Sequence, residues 1–303
     1  MSRTRPEDLA GVADWDLSGT NVVVTGATDG IGRQTAESLG RLGARVLVHG
    51  RDGSKADRVV TSIEDGPGDA DRFLADFQDE EEIHELADFA LETMDQVDVL
   101  VNNAGTYFQD GRLTDAGIER TFAVNHLGPF VLTNRLVPEM SEDGRIVTVA
   151  SAVHRRTGMD FDAIESVEGY DGFDAYARSK FANILFTYAL ARRLDSKTSN
   201  CLHPGFVPGS ALWRETNLPM KTSMALIGML PEFVQNLVVN TPRTAAVTPV
   251  YLAASPAVAG VTGSYFADLE ERKSSPETYD EGLQERLWDR SVDLVTMDAT
   301  DIL

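Results

Sequence analysis

Two residues of this chain are spaced for proton chemistry, Tyr176 and Lys180, which lie four positions apart. Side chains with that spacing on a helix share one face, so the lysine ammonium can lie close to the tyrosine phenol. A nearby positive charge favours the phenolate, which makes the tyrosine a better proton donor or acceptor. Two polar residues earlier in the chain, Asn125 and Ser151, complete a set that indicates hydride-transfer chemistry when a nucleotide site accompanies it.

A glycine-rich stretch upstream, residues 25–32, offers such a nucleotide site. Gly26, Gly30 and Gly32 follow a predicted strand and open a predicted helix, which is the context that a glycine motif needs. Without side chains the backbone can approach a pyrophosphate, and the helix N-terminus supplies free N–H groups and a partial positive charge. A purely structural turn is the alternative, which the position at the first strand of an alternating chain disfavours.

The first half of the chain alternates short apolar runs with stretches of helical periodicity. The runs are rich in β-branched residues and nearly continuously apolar, as expected of strands covered on both faces. The predicted strands are 21–25, 44–49, 73–76, 97–102 and 146–151. The predicted helices between them are 31–42, 55–63, 80–94 and 118–139, and later elements are a helix at 241–254, a strand at 264–267 and a helix at 279–294.

Repeated strand-helix alternation implies parallel strands with right-handed crossovers. We therefore predict an α/β fold, a doubly wound parallel sheet of the Rossmann type, in one domain that spans residues 1–303.

Two segments interrupt the alternation. Residues 155–172 are polar and acidic, which predicts a surface excursion, and residues 205–240 are rich in large apolar side chains. A long apolar loop is typical of a lid or binding loop, with an oligomer contact as the alternative. The side chains expected to form this substrate-binding lid are Trp213, Met220, Met224, Met229 and Phe233. Shortly after Ser151 come three residues that are predicted to be solvated loop positions rather than substrate contacts, namely His154, Arg155 and Arg156.

The end of the second predicted strand distinguishes the two nicotinamide dinucleotides. An acidic residue there would bind the adenosine ribose hydroxyl, whereas an arginine would meet a 2′-phosphate. The sequence has Gly50 where the acidic residue is expected and Arg51 directly after it. NADP is therefore favoured, although Asp52 leaves NAD possible and an ordinary solvated charge is the alternative interpretation of Arg51.

The charge balance limits the partners of the chain. With 27 basic and 48 acidic residues the net charge is −21, and such a surface repels nucleic acid and anionic lipid. The basic residues comprise 5 lysines and 22 arginines. We interpret this acidic, lysine-poor composition as an adaptation to high salt, in which concentrated ions screen the repulsion between carboxylates.

Cysteine usage and hydropathy predict a cytoplasmic protein. The single cysteine, Cys201, excludes an internal disulfide, and its surroundings predict a buried strand rather than a nucleophile. The N-terminal residues lack the apolar core of a signal peptide. No apolar run reaches the ~18 residues that a membrane span needs. The sequence predicts no metal site.

The motifs, taken in order, resemble those of the short-chain dehydrogenase/reductase family over most of the chain. The turn at 25–32 is similar to the family's glycine motif, residues 102–105 to its Asn-Asn-Ala-Gly signature, and residues 176–180 to its Tyr-x-x-x-Lys pair. Three longer strings, at 124–130, 179–187 and 202–205, resemble the retinol-dehydrogenase-like branch, which includes WW-domain-containing oxidoreductases. We expect no N-terminal membrane anchor of the kind that membrane-bound members carry.

The resemblance implies a role for each catalytic candidate. Tyr176 is implied as the general acid/base and Ser151 as the group that hydrogen-bonds the substrate oxygen. Lys180 is implied to contact the nicotinamide ribose, and Asn125 to retain a water that links this lysine to solvent. A helix-interior asparagine bonded to its own backbone is the alternative for Asn125.

The implied function is NADP-dependent oxidation or reduction of a small, fairly apolar alcohol or carbonyl compound, by a homo-oligomer. The cofactor contacts that follow are Gly26, Thr28, Asp29, Gly30, Ile31, Gly32, Arg51, Asp76, Phe77, Asn103, Ala104, Gly105, Tyr176, Lys180, Pro204, Gly205 and Val207. The main alternative is a non-catalytic redox sensor of the same fold that binds NADP and signals to a protein partner. A related epimerase or dehydratase is a third, weaker hypothesis.

Overall fold

A computed structural model describes residues 4–207, 240–298 and 301–303 of the chain. Within these residues eight strands form one sheet in the order β3-β2-β1-β4-β5-β6-β7-β8. The strands are β1 Asn21–Val24, β2 Arg45–Gly50, β3 Asp69–Leu74, β4 Val97–Asn102, β5 Met140–Val149, β6 Thr198–Leu202, β7 Tyr265–Ala267 and β8 Glu270–Arg272. Neighbours are parallel except β7 and β8. The predicted doubly wound sheet is confirmed, with an added antiparallel edge.

Helices cover both faces of this sheet. The α-helices of the described residues are α1 Pro6–Leu9, α2 Gly30–Arg41, α3 Gly53–Glu64, α4 Glu80–Thr93, α5 Arg120–Phe122, α6 Gly128–Leu136, α7 Gly172–Arg193, α8 Pro242–Ala245, α9 Val247–Ala254 and α10 Glu281–Leu294. The strand order reverses between β1 and β4. In open α/β sheets a crevice for ligands forms at such a point, outside the carboxyl ends of the strands.

The apolar core lies in two layers, one on each sheet face. On one face Val24 belongs to a buried cluster with Leu39 of α2 and Val59 of α3. On the other face Phe130 of α6 and Phe186 of α7 belong to a second buried cluster. Burial of the strands on both sides explains their continuous apolar runs.

Two strands differ from their predicted bounds. β3 was predicted at 73–76 but occupies Asp69–Leu74, because it lies at the sheet edge and its first four residues include three polar ones, which hide the strand from an apolar pattern. β5 was predicted at 146–151 but occupies Met140–Val149. Asp76 and Ser151 therefore lie just beyond strand ends, at the edge of the sheet where the crevice opens.

The single helix predicted at 118–139 is divided. α5 runs into a π-helical turn, Ala123–Leu127, before α6 begins. Pro129 lacks the N–H that a continuous α-helix would direct to the Asn125 carbonyl four residues earlier, so the hydrogen-bond register changes here. π-helical turns are rare and frequently occur at functional sites.

The two interrupting segments have different outcomes. The predicted surface excursion at 155–172 is partly packed, since Ile164 is fully buried and its carbonyl accepts a hydrogen bond from Glu119 N at 2.7 Å. The predicted lid at 205–240, with its five large apolar side chains, lies almost entirely outside the described residues. Its two ends are joined, because Asn240 N donates to Phe206 O at 2.7 Å.

Candidate active site

A cleft of about 860 Å³ lies along the carboxyl edge of the sheet. The glycine-rich turn lines one end, and Ser151 and Tyr176 line the other. Each of the cofactor contacts predicted from the sequence lines this cleft: Gly26, Thr28, Asp29, Gly30, Ile31, Gly32, Arg51, Asp76, Phe77, Asn103, Ala104, Gly105, Tyr176, Lys180, Pro204, Gly205 and Val207. The fold therefore brings together residues that are spread over nearly the whole first two thirds of the chain.

The side chain of Asn103 holds the glycine-rich turn in place. Its Nδ2 donates to Thr25 O at 2.8 Å and lies 3.2 Å from Gly26 O. A Cβ on Gly32 would lie 2.3 Å from this Nδ2, so that glycine is required by packing. Gly30 is different, because it has a φ of +56° and a Cβ there would meet nothing within 4 Å. This glycine keeps the start of α2 open toward the cleft.

His49 on β2 supports this turn, a role that the sequence did not predict. Its Nδ1 accepts a hydrogen bond from Gly26 N at 3.2 Å, and its Nε2 donates to Ala75 O at 3.0 Å. The ring stacks on Phe77 with centroids 4.6 Å apart. Burial lowers the pKa of His49 to about 4, so the ring is neutral and can accept from Gly26. A histidine inside an apolar strand gives no sequence signal of this role.

Two cations that follow β2, Arg51 beside the cleft and Lys55 on α3, pair with carboxylates that line the cleft. Arg51 Nη1 donates to Asp76 Oδ2 at 3.2 Å, and Lys55 Nζ donates to Asp29 Oδ2 at 2.8 Å. Asp52, which left NAD possible in the sequence, caps α3 through a 3.0 Å bond from Lys55 N to its Oδ1.

Gly50 precedes these cations and is constrained by the turn. A Cβ on Gly50 would lie 2.4 Å from Thr28 Cγ2. An acidic side chain therefore fits at position 50 only if Thr28 moves.

The catalytic candidates meet at the opposite end of the cleft. Tyr176 and Lys180 lie on α7, with the lysine Nζ 5.8 Å from the centre of the tyrosine ring. The hydroxyl of Ser151 hydrogen-bonds the Tyr176 phenol. Lys180 Nζ donates to Val149 O at 2.9 Å, which ties α7 to the end of β5. A Cβ on Gly105 would lie 3.1 Å from this Nζ, so the glycine leaves room for the lysine.

The pKa values at this end differ from the sequence expectation. Burial raises the pKa of Tyr176 to about 12, and the hydrogen bond from Ser151 only partly opposes that effect. Burial also lowers the pKa of Lys180 to about 8. Desolvation of the buried phenol dominates its pKa, and the Lys180 ammonium is directed at Val149 O. Tyr176 is therefore protonated at neutral pH and is set to donate.

Asn125 lies behind the cleft rather than on its wall. Its Oδ1 accepts from Thr106 N at 2.7 Å, and its Nδ2 donates to Thr106 O at 2.9 Å and to Ser179 Oγ at 2.9 Å. The side chain thus links the loop after β4 to the helix that carries Tyr176. The alternative of an asparagine bonded to its own backbone is not observed.

Of His154, Arg155 and Arg156, which the sequence favours as solvated loop positions, His154 differs from that prediction. His154 is fully buried rather than solvated, because both ring nitrogens are hydrogen-bonded to backbone groups. Arg155 and Arg156 are exposed but line the cleft. The charge-rich sequence suggested solvent, whereas a 3₁₀ turn over Ala152–Arg156 folds the segment back over the site.

The substrate end of the cleft has further walls that the sequence did not single out. They are Thr106, Val153, Phe173, His203 and Phe206. Phe173 lies in the first turn of α7, three residues before Tyr176, and helix periodicity brings positions three apart onto one face. That spacing is the signal which could have identified it.

Known proteins are similar to this chain in sequence. The family model described as short chain dehydrogenase matches residues 20–220. Retinol dehydrogenase 14 of Mus musculus is 37% identical over 291 residues, which cover 91% of this chain and 85% of that protein. Polyprenol dehydrogenase of Homo sapiens is 35% identical, over 92% of this chain and 86% of that protein.

Solved structures are similar as well. An uncharacterized protein from Mycobacterium paratuberculosis superposes with a TM-score of 0.73 at 29% identity, covering 93% of this chain and 96% of that one. A short chain dehydrogenase from Burkholderia cenocepacia J2315 in complex with NADP has a TM-score of 0.67 at 25% identity, covering 82% and 96%.

The fold and site define an oxidoreductase that acts on alcohol groups. The chain belongs to the short-chain dehydrogenase family, and the resemblance to its retinol-dehydrogenase-like branch is confirmed. The prediction of an enzyme of this class is confirmed with it.

Membrane crossing and metal binding can be assessed for the described residues. None of the helices in these ranges combines the length and hydropathy that crossing a bilayer requires. Over the same ranges, His, Cys, Asp and Glu do not form a group of three or more suited to a metal ion.

Proposed function

We propose that this protein is an NADP-dependent oxidoreductase that transfers a hydride between nicotinamide and an apolar alcohol or carbonyl compound, with Tyr176 as the general acid/base. One observation carries the proposal. The hydrogen-bonded Ser151 and Tyr176 share one cleft with the open glycine turn, so a dinucleotide and a substrate oxygen have room side by side.

The residues present fit a nicotinamide dinucleotide. Gly30 leaves open space at the start of α2, where free N–H groups and the helix dipole favour a pyrophosphate. Lys180 lies farther along the cleft with its ammonium beside Gly105, at a position suited to the nicotinamide ribose. Arg51 and Asp76 border the end where the adenosine would lie.

When bound, the cofactor supplies or accepts the hydride. Tyr176 carries its proton at neutral pH and would give it to the substrate oxygen during reduction. Ser151 would donate a hydrogen bond to the same oxygen and fix its distance from the phenol. Lys180, charged below its pKa of about 8, would stabilise negative charge that develops on Tyr176 after the proton leaves.

An apolar substrate is supported by the walls near Tyr176. Val153, Phe173, Phe206 and Val207 line the cleft there. The relatives named retinol dehydrogenase and polyprenol dehydrogenase act on apolar alcohols by name. We propose the same substrate class for this protein.

A turnover assay distinguishes this proposal from a non-catalytic redox sensor. The purified protein would be tested with NADPH or NADP against a panel of aldehydes, ketones and alcohols that increase in apolar chain length. Turnover that improves with chain length supports the enzyme. Cofactor binding, measured by fluorescence, with no turnover on any panel member would favour the sensor.

Preference for NADP over NAD depends on Arg51. Its side chain is 62% exposed and pairs with Asp76 at 3.2 Å, an exposed ion pair that a 2′-phosphate can replace. Charge-assisted hydrogen bonds contribute about 1.5–3 kcal/mol, and we expect Arg51→Ala to weaken NADP binding about tenfold to hundredfold. NAD binding should change little. Cofactor titrations monitored by fluorescence measure both.

The matched control for this prediction is Arg58→Ala. Arg58 is also exposed and lies on α3 but does not line the cleft. Its removal deletes the same charge from a position seven residues further along the chain and should leave both affinities unchanged. If both the wild type and Arg51→Ala bound NAD more tightly than NADP, the assignment of Arg51 to the 2′-phosphate would be contradicted.

We also propose that the acidic surface is an adaptation to high salt. The net charge of −21 disfavours the compact state in dilute buffer, where repulsion between carboxylates is not screened. The temperature of unfolding and the turnover should therefore rise from dilute buffer to molar KCl. An equally concentrated neutral osmolyte is the control, because it does not screen charge. Equal stability in dilute buffer and KCl would refute this proposal.

The remaining predictions about organisation are proposals as well. We propose a single domain over residues 1–303 with a substrate-binding lid near 205–240, a cytoplasmic setting, and assembly into a homo-oligomer.

A further inference from the structure

His154 makes two backbone hydrogen bonds that connect the site to a distant part of the chain. Its Nδ1 lies 2.6 Å from Ser151 O. Its Nε2 accepts from Ser275 N at 3.2 Å, across 121 positions of sequence. The ring is fully buried against Tyr265, with centroids 5.2 Å apart.

These two partners fix the state of the ring. A carbonyl only accepts and a backbone N–H only donates, so Nδ1 carries the proton and Nε2 carries the lone pair. An imidazolium ring has no lone pair to accept the hydrogen bond from Ser275 N. The tautomer with its proton on Nε2 could form neither the bond to Ser151 O nor the bond from Ser275 N. The ring is therefore a neutral spacer of one length and one orientation between the two backbone segments.

The Ser151 end of this spacer controls a group at the reaction centre. Ser151 O accepts both from His154 N, at 3.2 Å, and from the ring. The side-chain oxygen of the same serine lies 3.4 Å from Val153 N and hydrogen-bonds Tyr176. Fixing the serine carbonyl limits rotation of the residue, and so limits where its hydroxyl can point.

The Ser275 end of the spacer is anchored to the helix that carries Tyr176. Residues 273–279, here called the strap, precede α10. In the strap Ser274 Oγ lies 2.8 Å from Tyr188 Oη on α7 and 2.6 Å from Thr278 Oγ1. The strap is thus connected to both hydroxyl-bearing residues of the site. It reaches Ser151 through His154, and it reaches the helix of Tyr176 through Tyr188.

We propose that His154 is a positioning residue, which holds the Ser151 hydroxyl at the distance from Tyr176 that the reaction requires. This inference rests on the proposed function, because it assigns a role within that reaction. His154 does not line the cleft, so it acts through Ser151. Small misplacements of reacting groups reduce rate by up to about 10²-fold, so the contribution of such a spacer is measurable.

A double-mutant cycle tests the dependence on Ser151. His154→Leu keeps most of the buried volume and removes both hydrogen bonds, and we expect kcat to fall about tenfold to hundredfold with little change in cofactor affinity. In the Ser151→Ala background the same substitution should change the residual kcat less than about threefold, because the group that it positions is gone. An equal loss in both backgrounds, or no loss in either, would overturn the inference.

A second pair of variants keeps the test decisive if His154→Leu does not fold. His154→Asn can retain a donor near the Nδ1 position, toward Ser151 O. His154→Gln can instead retain an acceptor near the Nε2 position, toward Ser275 N. The inference requires the Asn variant to be more active than the Gln variant, and the reverse order would contradict it.

His126→Leu is the matched control. His126 is also fully buried, and its Nε2 lies 2.9 Å from Ser291 Oγ, away from the cleft. Its substitution should lower the temperature of unfolding, and any loss of kcat should be the same with and without Ser151. If the wild type turns over no alcohol or carbonyl compound, the proposed function fails. If it turns over and the cycle is additive, only the role of His154 fails.

Discussion

Tyr176→Phe should lower turnover at least ~10²-fold, the lower range for general acid/base catalysis, while NADP affinity stays within about twofold. The substitution removes one hydroxyl and retains the ring. Tyr176 is 6% exposed, so the packing of that ring is conserved and the fold should be unchanged. What is lost is the proton that the phenol, with its pKa near 12, carries toward the substrate oxygen at neutral pH. Steady-state kinetics and cofactor fluorescence measure the two quantities.

Tyr170→Phe provides a control with the same chemical change. Burial raises the pKa of Tyr170 to about 12 as well. Its hydroxyl donates to Phe108 O at 2.9 Å and does not line the cleft. Its loss should lower stability and leave kcat within about threefold of wild type, because a structural hydrogen bond contributes about 1 kcal/mol to folding and nothing to proton transfer. Comparable turnover in Tyr176→Phe and wild type would contradict the assigned role.

The pKa values also predict different pH dependences for the two directions. Reduction uses the protonated phenol, which is the dominant form well below pH 12. Oxidation needs the phenolate, whose population rises with pH until the phenol titrates. At pH above about 8, however, Lys180 loses its charge and with it part of the support for that phenolate. The oxidative rate is therefore governed by two opposing titrations, whereas reduction uses a phenol that is protonated throughout the neutral range and the same Lys180 charge beside it.

The catalytic candidates could be predicted from sequence because their chemistry depends on local spacing. Tyr176 and Lys180 share a helix face by periodicity, and Ser151 follows a strand that leads to the ligand edge of the sheet. The glycine turn is similarly local, since it needs only a strand, a bend and a helix. For these residues the short-range pattern already contains the geometry.

The residues that support the site could not be predicted in this way. His49 bonds Gly26 and Ala75 across neighbouring strands, and His154 bonds Ser275 from the far end of the chain. Each depends on a register between segments that only the folded sheet defines. Their buried, neutral state leaves no charge pattern or periodicity in the sequence, so His154 next to two arginines was interpreted as solvated loop.

Edge elements were missed for a related reason. β8, Glu270–Arg272, is exposed at every position and has no apolar residue to mark it. It forms because β7 offers an unpaired edge, which is a tertiary condition rather than a local propensity.

The largest change in stability should come from Trp288→Ala. Trp288 lies on α10 and is 5% exposed. Its ring contacts Phe130 edge-on at 5.1 Å and stacks on Phe186 at 5.8 Å between centroids. Arg193 covers the ring from the other side, 3.9 Å from its centroid. One side chain thus joins α10 to both α6 and α7, and its removal leaves a cavity between them.

Truncating a buried tryptophan to alanine costs about 3–5 kcal/mol, so the free energy of unfolding should fall by that amount. For a protein of this size the temperature of unfolding would drop by about 10 °C. Urea titrations followed by circular dichroism measure the change. Cofactor affinity at low temperature should be retained, because Trp288 does not line the cleft.

Trp15→Ala is the control, since the same large ring is deleted from a position that is 49% exposed. Exposed substitutions usually change stability by less than about 0.5 kcal/mol. A difference of several kcal/mol between the two tryptophan variants would show that the stabilisation comes from packing of α10 against α6 and α7. If Trp288→Ala cost less than about 1 kcal/mol, α10 would be only loosely attached. The strap that precedes it would then be an unsuitable anchor for His154, because a reference point for the catalytic serine has to be more rigid than the group it positions.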